Sequence, residues 1–342
     1  MPAVGAARDT IWAKREIQRR SHSTNPDSEP LPFPMRNTVT SGFHWPGSTG
    51  LLEGPSNAFW GFAMHHKWLP VLVGLACLVV FVLLPRLATE PTPLVKDGTW
   101  RLIFADEFDV VSLDREKWTT CYWWNKDGCT NLGNGELQWY RPENVSLNEG
   151  LLRLQARPQN IIGFEGRTFE YTSGMVTTGR DYEELPRPSR VRFRYGHVEV
   201  RAKIPDGKGL WAAIWLLPET RESRPEIDVM EALGDSPTTL RVHYHYRDEA
   251  GEKQSVGEKV KTPNLTQDWH VYSLTWDPDR IIWYLDGKEV WRYSDAGSIS
   301  NEDMYLLLNL AVGGEWAGSP SENTNFPAEY LIDYVRIWQR DG

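Results

Sequence analysis

Short runs of apolar, β-branched and aromatic residues recur from residue 99 to residue 340, separated by turn residues. Runs of this length and composition are typical of strands, and they predict an all-β domain, an antiparallel β-sandwich. Asp286-Gly287 stands between two such runs, 281–285 and 289–291, and predicts a tight hairpin.

A different pattern covers residues 68–85, where an uncharged and almost wholly apolar stretch is just long enough to cross a bilayer as a helix. A buried core helix would be amphipathic, whereas this stretch is apolar all round. A cleaved signal peptide is the alternative. The long preceding region and the lack of a small-x-small pattern after Leu84 favour an uncleaved transmembrane helix.

The predicted organisation is a largely disordered cytoplasmic tail (1–67), a transmembrane helix (68–85), a semi-extended spacer (86–98) and the β-rich domain (99–340). Basic residues before the apolar stretch favour a cytoplasmic N-terminus and an extracytoplasmic domain. The net charge of −9 argues against nucleic-acid binding. We expect a monomer whose partners are its substrate and the membrane.

The segment 226–231 reads EIDVME and carries three carboxylates within six residues of a predicted buried strand. Neighbouring carboxylates repel one another, and burial raises their pKa values. Glu226 and Asp228 share a face by the period of two, whereas Glu231 has the opposite parity. A β-bulge at Val229-Met230, with Met230 as the extra residue, would bring all three to one face.

Paired carboxyl groups are the requirement of glycoside hydrolysis, in which one attacks and the other protonates. The neighbouring predicted strand, 209–218, carries Trp211 and Trp215 with the same parity. Two indoles on the carboxylate face could stack on sugar rings, and core packing is the equal alternative. His243 and His245 also share a face of a predicted strand. Since no third metal ligand is evident, hydrogen bonding to sugar or to the carboxylates is expected.

The ordered motifs along residues 100–340 resemble glycoside hydrolase family 16, specifically its laminarinase-like members with a bulged active-site strand. Beside the carboxylate and tryptophan strands, the resemblance rests on DEF at 106–108, NGELQWY at 134–140, YTSG at 171–174, GHVEVRAK at 196–203, WHVYSLTW at 269–276, LAVGGEW at 310–316 and IDYVRIW at 332–338. It implies a jelly roll of the concanavalin A type, with no cofactor for catalysis.

The resemblance implies that Glu226 is the nucleophile, that Glu231 is the acid/base with a raised pKa, and that Asp228 tunes an ionised Glu226. It implies sugar-binding roles for seven residues: Trp211, Trp215, His243, Asn309, Trp316, Asn134 and Glu136. It further implies a structural calcium held by Glu107, the Gly150 carbonyl and Asp333, for which surface or capping acids are the alternative. Met175 replaces the arginine that many relatives carry after Tyr-x-Ser-Gly, so one polar substrate contact is in doubt.

Three functions follow from the resemblance. The first is an endo-acting retaining hydrolase of β-1,3-glucan or a related β-linked polysaccharide. The second is a cell-surface transglycosylase that remodels glucan, and the third is a non-catalytic β-glucan-binding protein. The third predicts loss of a catalytic carboxylate, and all three carboxylates are present. Cys121 and Cys129 are close enough in sequence to form a small disulfide, with two free thiols as the alternative.

Overall fold

A computed structural model describes residues 90–124, 129–163 and 166–341. The predicted tail 1–67 and transmembrane helix 68–85 lie outside the described residues, as does the start of the spacer. Within the described ranges, no helix is long and apolar enough to cross a membrane.

The described residues are dominated by β-structure, as the run pattern predicts. The strands are β1 (Trp100–Asp106), β2 (Gln138–Tyr140), β3 (Val145–Asn148), β4 (Leu151–Ile162), β5 (Thr168–Ser173), β6 (Met175–Thr177), β7 (Gly196–Lys203), β8 (Leu210–Pro218), β9 (Glu226–Leu233), β10 (Thr239–Arg247), β11 (Lys253–Lys261), β12 (His270–Asp277), β13 (Arg280–Leu285), β14 (Lys288–Tyr293), β15 (Met304–Val312) and β16 (Ala328–Arg340). The described part of the chain has short helical elements of one turn each, which are Leu132–Asn134, Pro142–Asn144, Tyr182–Glu184 and Gly314–Ala317.

These strands form two sheets. The larger has the order β14-β13-β12-β7-β16-β4-β5-β2, with β1 also on β16 and β3 on β4, and the smaller has the order β11-β10-β9-β8-β15-β6. Among the described strands, the pairing of β2 with β5 is parallel and the others are antiparallel. One apolar core joins residues of both sheets, such as Val200 and Leu274 of the larger and Ile214 and Leu306 of the smaller. The predicted antiparallel sandwich is confirmed.

The smaller sheet shows the period of two clearly. On β8, Leu210, Ala212, Ile214 and Leu216 belong to the core between the sheets. The intervening side chains, which include Trp211 and Trp215, therefore point to the outer face of the smaller sheet. Residues of β9 and β10 with the corresponding parity line that same outer face.

The predicted hairpin joins β13 to β14, with Leu285 paired to Lys288 across the turn. Asp286 has φ 52° and Gly287 has φ 73°, the left-handed conformation at both turn positions. A two-residue turn with positive φ at both positions matches the twist of the flanking strands, which explains the Asp-Gly sequence.

The predicted β-bulge is present at Val229-Met230 of β9. Against β8, Ile214 pairs with Met230 and Trp215 pairs with Asp228, so that Val229 is the extra residue. The expectation that Met230 is the extra residue is therefore wrong by one position. Both bulge residues face the core, because an extra residue places two successive side chains on one side of the sheet.

A hydrogen bond from the opposite sheet ends at this bulge. Trp283 of β13 is fully buried, and its Nε1 donates to the carbonyl oxygen of Asp228 at 2.8 Å. A buried carbonyl that lacks a partner destabilises the folded state, so this indole satisfies a backbone group at the irregular point of β9. This hydrogen bond therefore connects the bulge to the larger sheet through the core.

We predict that Trp283→Phe destabilises the protein by about 1–3 kcal/mol more than Trp276→Phe does, as measured by urea unfolding. Both tryptophans are fully buried, but Trp276 Nε1 has no hydrogen-bond partner among the described residues. The Trp276 variant therefore controls for the lost indole volume. Equal destabilisation by the two substitutions would contradict a stabilising role for the bond to the bulge.

Candidate active site

The bulge brings Glu226, Asp228 and Glu231 to the outer face of the smaller sheet. Glu226 and Asp228 are 8% and 4% exposed, and Glu231 is partly exposed. On the neighbouring strand β10, His243 lies opposite Asp228 and Arg241 lies opposite Glu231. The predicted convergence of the three carboxylates therefore holds in the structure.

Two histidines of β10 face this cluster. His243 Nδ1 lies 2.8 Å from Glu231 Oε2, and His245 Nε2 lies 3.2 Å from Asp228 Oδ2. His245 Nε2 is also 3.9 Å from Glu226 Oε1. The expectation of hydrogen bonding to the carboxylates is met at His243, whereas His245 lies at ion-pair distance from Asp228. Each imidazole places a polar or positive group against a crowded negative one.

The electrostatics of the cluster follow from burial and crowding. Burial, followed by the charge of Asp228, raises the pKa of Glu226 to about 8, against the lowering effects of His245 and Arg224. Burial and the charge of Glu231 hold the pKa of Asp228 well above its ordinary value. The cluster therefore keeps at least one proton at neutral pH. This differs from the expectation of an ionised Glu226, because the sequence does not reveal how deeply that carboxyl is buried.

The pKa values of the two histidines shift in opposite directions. Burial lowers the pKa of His243, but the hydrogen bond to Glu231 and the surrounding carboxylates outweigh burial and raise it overall. For His245 burial prevails and the pKa is lowered. The imidazole beside Glu231 is thus the more readily protonated of the two.

Trp215 lies beside the cluster, directly across from Asp228 on β8. Its Nε1 donates to Asn309 Oδ1 at 2.8 Å, and Asn309 Nδ2 lies 3.0 Å from the hydroxyl of Tyr140. Trp215 is 8% exposed and contacts the ring of Tyr122 edge-on. Asn309 therefore orients the indole from below, and most of the indole is packed against protein.

Trp211 and Trp316 extend the same face further from the carboxylates. Their rings meet edge-on with centroids 4.7 Å apart, and the Arg241 guanidinium lies 5.1 Å from the centre of the Trp316 ring. Trp316 is 39% exposed. This large apolar ring next to polar donors offers a stacking surface of the kind that sugar rings prefer.

Asn134 and Glu136 support the loop that carries Trp316. Glu136 is 2% exposed, and its carboxylate accepts hydrogen bonds from Asn134 Nδ2, Gln138 Nε2 and the Asn131 amide. Its backbone forms a bridge with Gly313. A buried carboxylate with three donors has little capacity left for a sugar. The predicted substrate contact at Glu136 is replaced in the structure by a supporting role.

Met175 and the two cysteines lie under the same face. Met175 is fully buried in an apolar cluster with Trp215 and Cys129, so this position offers no polar group to a ligand. Cys121 and Cys129 are free thiols. The structure therefore agrees with two free thiols and not with the alternative of a small disulfide.

The two carboxylates expected to hold calcium, Glu107 and Asp333, are bonded to arginines. Glu107 accepts two hydrogen bonds from Arg336 at 2.8 and 2.7 Å, and Asp333 is bonded by Arg201. Calcium would have to compete with a guanidinium group at each carboxylate. The structural calcium held by Glu107, the Gly150 carbonyl and Asp333 stays a prediction.

Sequence reasoning gave no site role to two residues that the fold brings to the cluster, Arg241 and Arg224. Arg241 shares the parity of His243, so the alternation of β10 was the signal that could have found it. Arg224 precedes β9, and its electrostatic effect on both Glu226 and Asp228 depends on chain geometry that no pattern discloses.

Several buried polar atoms along this face have no hydrogen-bond partner among the described residues. They are Glu226 Oε2, His245 Nδ1, Trp211 Nε1, Arg224 Nε and Nη1, and Arg241 Nε and Nη1. Buried polar groups are nearly always satisfied by protein, water or ligand. Donors and an acceptor gathered around one carboxylate strand therefore indicate a site for a ligand rich in hydroxyl groups.

The sandwich and its bulged carboxylate strand are those of a glycoside hydrolase fold, and comparison with known proteins gives the family. The family model of glycosyl hydrolases family 16 matches residues 163–336. The chain belongs to that family. Its residue pattern and its structure thus lead to the same assignment.

Individual relatives agree with the family match. The chain is 34% identical over 253 residues to the endo-1,3-1,4-beta-glycanase EglC of Rhizobium meliloti, covering 70% of this chain and 52% of that protein. It is 33% identical over 266 residues to a beta-glucanase of Rhodothermus marinus, covering 70% of this chain and 85% of the relative. The structure of an endo-beta-1,3-glucanase from Pyrococcus furiosus aligns with a TM-score of 0.60 at 33% identity, over 72% of this chain and 98% of that one. The chain thus spans only about half the length of EglC.

The buried carboxyl group of Glu136 makes the free energy of unfolding depend on pH. Burial raises its pKa to about 7 from 4.5, against three hydrogen bonds that lower it. The folded state therefore binds the proton more tightly than the unfolded chain. The resulting stability is fully present below about pH 4.5 and is lost as the pH rises through about 7. Glu136→Gln should remove roughly 3 kcal/mol of the decline in the free energy of unfolding across this window.

Urea unfolding of the wild type and the variant across this pH range measures the decline. Glu143→Gln is the matched control, since Glu143 follows on the same segment and its pKa is lowered by Arg141, outside the window. An unchanged slope against pH in Glu136→Gln would contradict the raised pKa.

Proposed function

We propose that this protein is an endo-acting, retaining glycoside hydrolase that cleaves β-1,3-glucan or a related β-linked polysaccharide. The observation that carries the proposal is the bulged strand β9. It holds three carboxylates on one outer face, next to an exposed tryptophan and among polar atoms that lack hydrogen-bond partners in the described ranges. Few reactions other than glycosyl transfer use such a combination.

In the proposed first step, a carboxylate oxygen of Glu226 attacks the anomeric carbon of the sugar. The bond from that carbon to the glycosidic oxygen breaks, and Glu231 gives its proton to the departing oxygen. The product is a glycosyl ester of Glu226 and a free chain end. In the second step Glu231, now a carboxylate, takes a proton from water, whose oxygen displaces Glu226. Two inversions at one carbon give net retention.

Asp228 has the role of adjusting the charge on Glu226. Its raised pKa favours a protonated carboxyl, and a neutral Asp228 removes the nearest repulsion from an ionising Glu226. His245 lies within 3.2 Å of the Asp228 carboxyl and can orient it. The nucleophile thus becomes charged more readily than its burial alone would permit.

His243 is suited to assist Glu231. It contacts the carboxyl that changes role between the two steps, at 2.8 Å. A protonated imidazole stabilises the carboxylate that forms after the proton has left. His243 would therefore favour the first step by stabilising its product state.

The sugar chain would lie along the outer face of the smaller sheet. Trp316 and Trp211 offer apolar surface at one end. Beside them, Arg241 offers two nitrogens that have no hydrogen-bond partner among the residues that the structure describes. Trp215 and Asn309 form the floor near the carboxylates. The printed names of the relatives, an endo-1,3-1,4-beta-glycanase, a beta-glucanase and an endo-beta-1,3-glucanase, support a β-glucan as the polymer.

We predict that Glu231→Gln lowers kcat on laminarin about 10²- to 10⁴-fold, the usual contribution of a general acid, and that Glu226→Gln lowers it at least as much. New reducing ends are measured with the full-length protein on laminarin, mixed-linkage glucan, agarose and carrageenan. Glu289→Gln is the control, since Glu289 pairs with Arg292 on the larger sheet and should retain wild-type activity.

Proton NMR of the first product distinguishes retention from inversion, because a retaining enzyme releases the β-anomer. Products longer than the starting chains would support the transglycosylase alternative. If the wild type and Glu226→Gln behave identically on every polymer, the proposed activity is wrong.

We further propose that the protein is a single-pass membrane protein with a cytoplasmic N-terminus and an extracytoplasmic catalytic domain. The support is the uncharged apolar stretch 68–85 with basic residues before it. A tether of this kind would hold the enzyme at the cell surface, close to a polymer substrate.

This proposal predicts that the full-length protein stays in the membrane pellet after washing with high salt and with alkaline carbonate, and is released by detergent. A variant lacking residues 1–89 is the control and should be recovered without detergent. Release of the full-length protein by salt alone would overturn the anchor.

A further inference from the structure

His243 and His245 form a three-membered cluster with Asp228 that has the composition of a transition-metal site. One ligand atom from each of these residues lies within 4.8 Å of the other two. From the sequence no third ligand for the two histidines is evident. The fold supplies one, because the register between β9 and β10 places Asp228 opposite His243.

The distances within the cluster are close to those of a coordinated ion. Asp228 Oδ2 is 3.2 Å from His245 Nε2 and 4.0 Å from His243 Nδ1. In a tetrahedral zinc site with bonds of about 2.0–2.2 Å, neighbouring ligand atoms are about 3.3 Å apart. The Asp228–His245 pair already has this spacing. A small rotation of the His243 ring would shorten the distance from Asp228 to His243 to a similar value.

The backbone fixes this arrangement before any ion arrives. The histidines are two residues apart on one strand, so both rings project from the same face. Their planes are inclined by 23° with centroids 5.6 Å apart. A His-x-His strand and one carboxylate on the adjacent strand are suited to Zn²⁺, Cu²⁺ or Ni²⁺, whereas Mg²⁺ and Ca²⁺ prefer oxygen ligands alone.

We propose that Asp228, His243 and His245 bind a divalent transition-metal ion such as Zn²⁺, and that the bound ion reversibly inhibits the enzyme. Glu231 Oε2 lies 2.8 Å from His243 Nδ1 and is therefore next to the fourth coordination position. An ion there would engage the Asp228 carboxyl and the His243 nitrogen that now contacts Glu231. The two groups that adjust Glu226 and Glu231 in the proposed mechanism would then be held by the ion, next to the position of the reacting sugar bond.

Metal binding itself is independent of the proposed function, whereas the inhibitory consequence rests on it. The site differs in place and chemistry from the calcium position that the family resemblance predicts at Glu107 and Asp333. It uses residues of the outer face of the smaller sheet, and two of its three ligands are nitrogen. The same groups that adjust catalysis would thus make the activity sensitive to free zinc.

Calorimetric titration of the full-length protein with ZnCl₂ tests the binding. We expect one zinc equivalent that is lost, or weakened at least tenfold, in both His243→Asn and His245→Gln. Asn retains a polar atom near the Nδ1 position and Gln retains one near Nε2, so each variant keeps the local hydrogen bonding while losing the imidazole. His270→Asn, which alters a histidine paired with Asp286 outside the cluster, should retain the equivalent. MgCl₂ should give no corresponding heat.

Zinc bound by other histidines of the chain would survive both cluster substitutions, so the decisive quantity is the equivalent that those substitutions remove. Retention of every zinc equivalent in both variants, with circular dichroism matching the wild type, would overturn the site. Absence of saturable zinc binding by the wild type would do so as well.

Hydrolysis of laminarin with zinc, and again after addition of EDTA, tests the consequence. We expect inhibition that EDTA reverses and that follows the calorimetric affinity, with no effect of equal magnesium. Full activity at zinc saturation would overturn the inhibitory role. A protein that binds zinc but cleaves no polymer would contradict the proposed function while leaving the metal site in place.

Discussion

The bond from Trp283 to the Asp228 carbonyl holds the irregular point on which the active face depends. Without the extra residue at Val229, the alternation of β9 would turn Glu231 toward the core, where an unpaired carboxylate is strongly destabilising. With it, two apolar side chains face inward and three carboxylates face outward. A side chain of the larger sheet thus secures a backbone group of the smaller one, so the sandwich and the site stabilise each other.

The crowding of charge on this face is moderated from two sides. Burial and mutual repulsion raise the pKa values of Glu226 and Asp228, and His243, His245 and Arg224 act against that rise. The compensation is incomplete, and polar atoms such as Glu226 Oε2 lack partners within the described part of the chain. An unsatisfied face of this kind is less stable alone than with a polar ligand, which is the property that a site for a hydroxylated polymer requires.

Local sequence patterns were sufficient wherever one face of a strand is buried. The Asp-Gly hairpin, the tryptophan strand and the parity defect of the carboxylate segment were all predicted, because the period of two constrains them. The predictions that failed concern residues whose position or burial is set by the tertiary structure around them. Val229, and not Met230, is the extra residue, since the register of β8 selects between two apolar neighbours. Glu136 is buried under the Trp316 loop, where a bridge to Gly313, remote in sequence, encloses it.

The sequence by itself determined the β-sandwich, the family and the identity of the three carboxylates, because hydrophobic alternation and motif order are properties of the chain. It also contains the apolar stretch 68–85. Only the tertiary structure decided which carboxyl keeps a proton, which polar atoms lack partners, and that Asp228 joins two histidines of another strand. These depend on burial and on distances between residues far apart in sequence. Both arise only when the strands pair and the two sheets close over a common core.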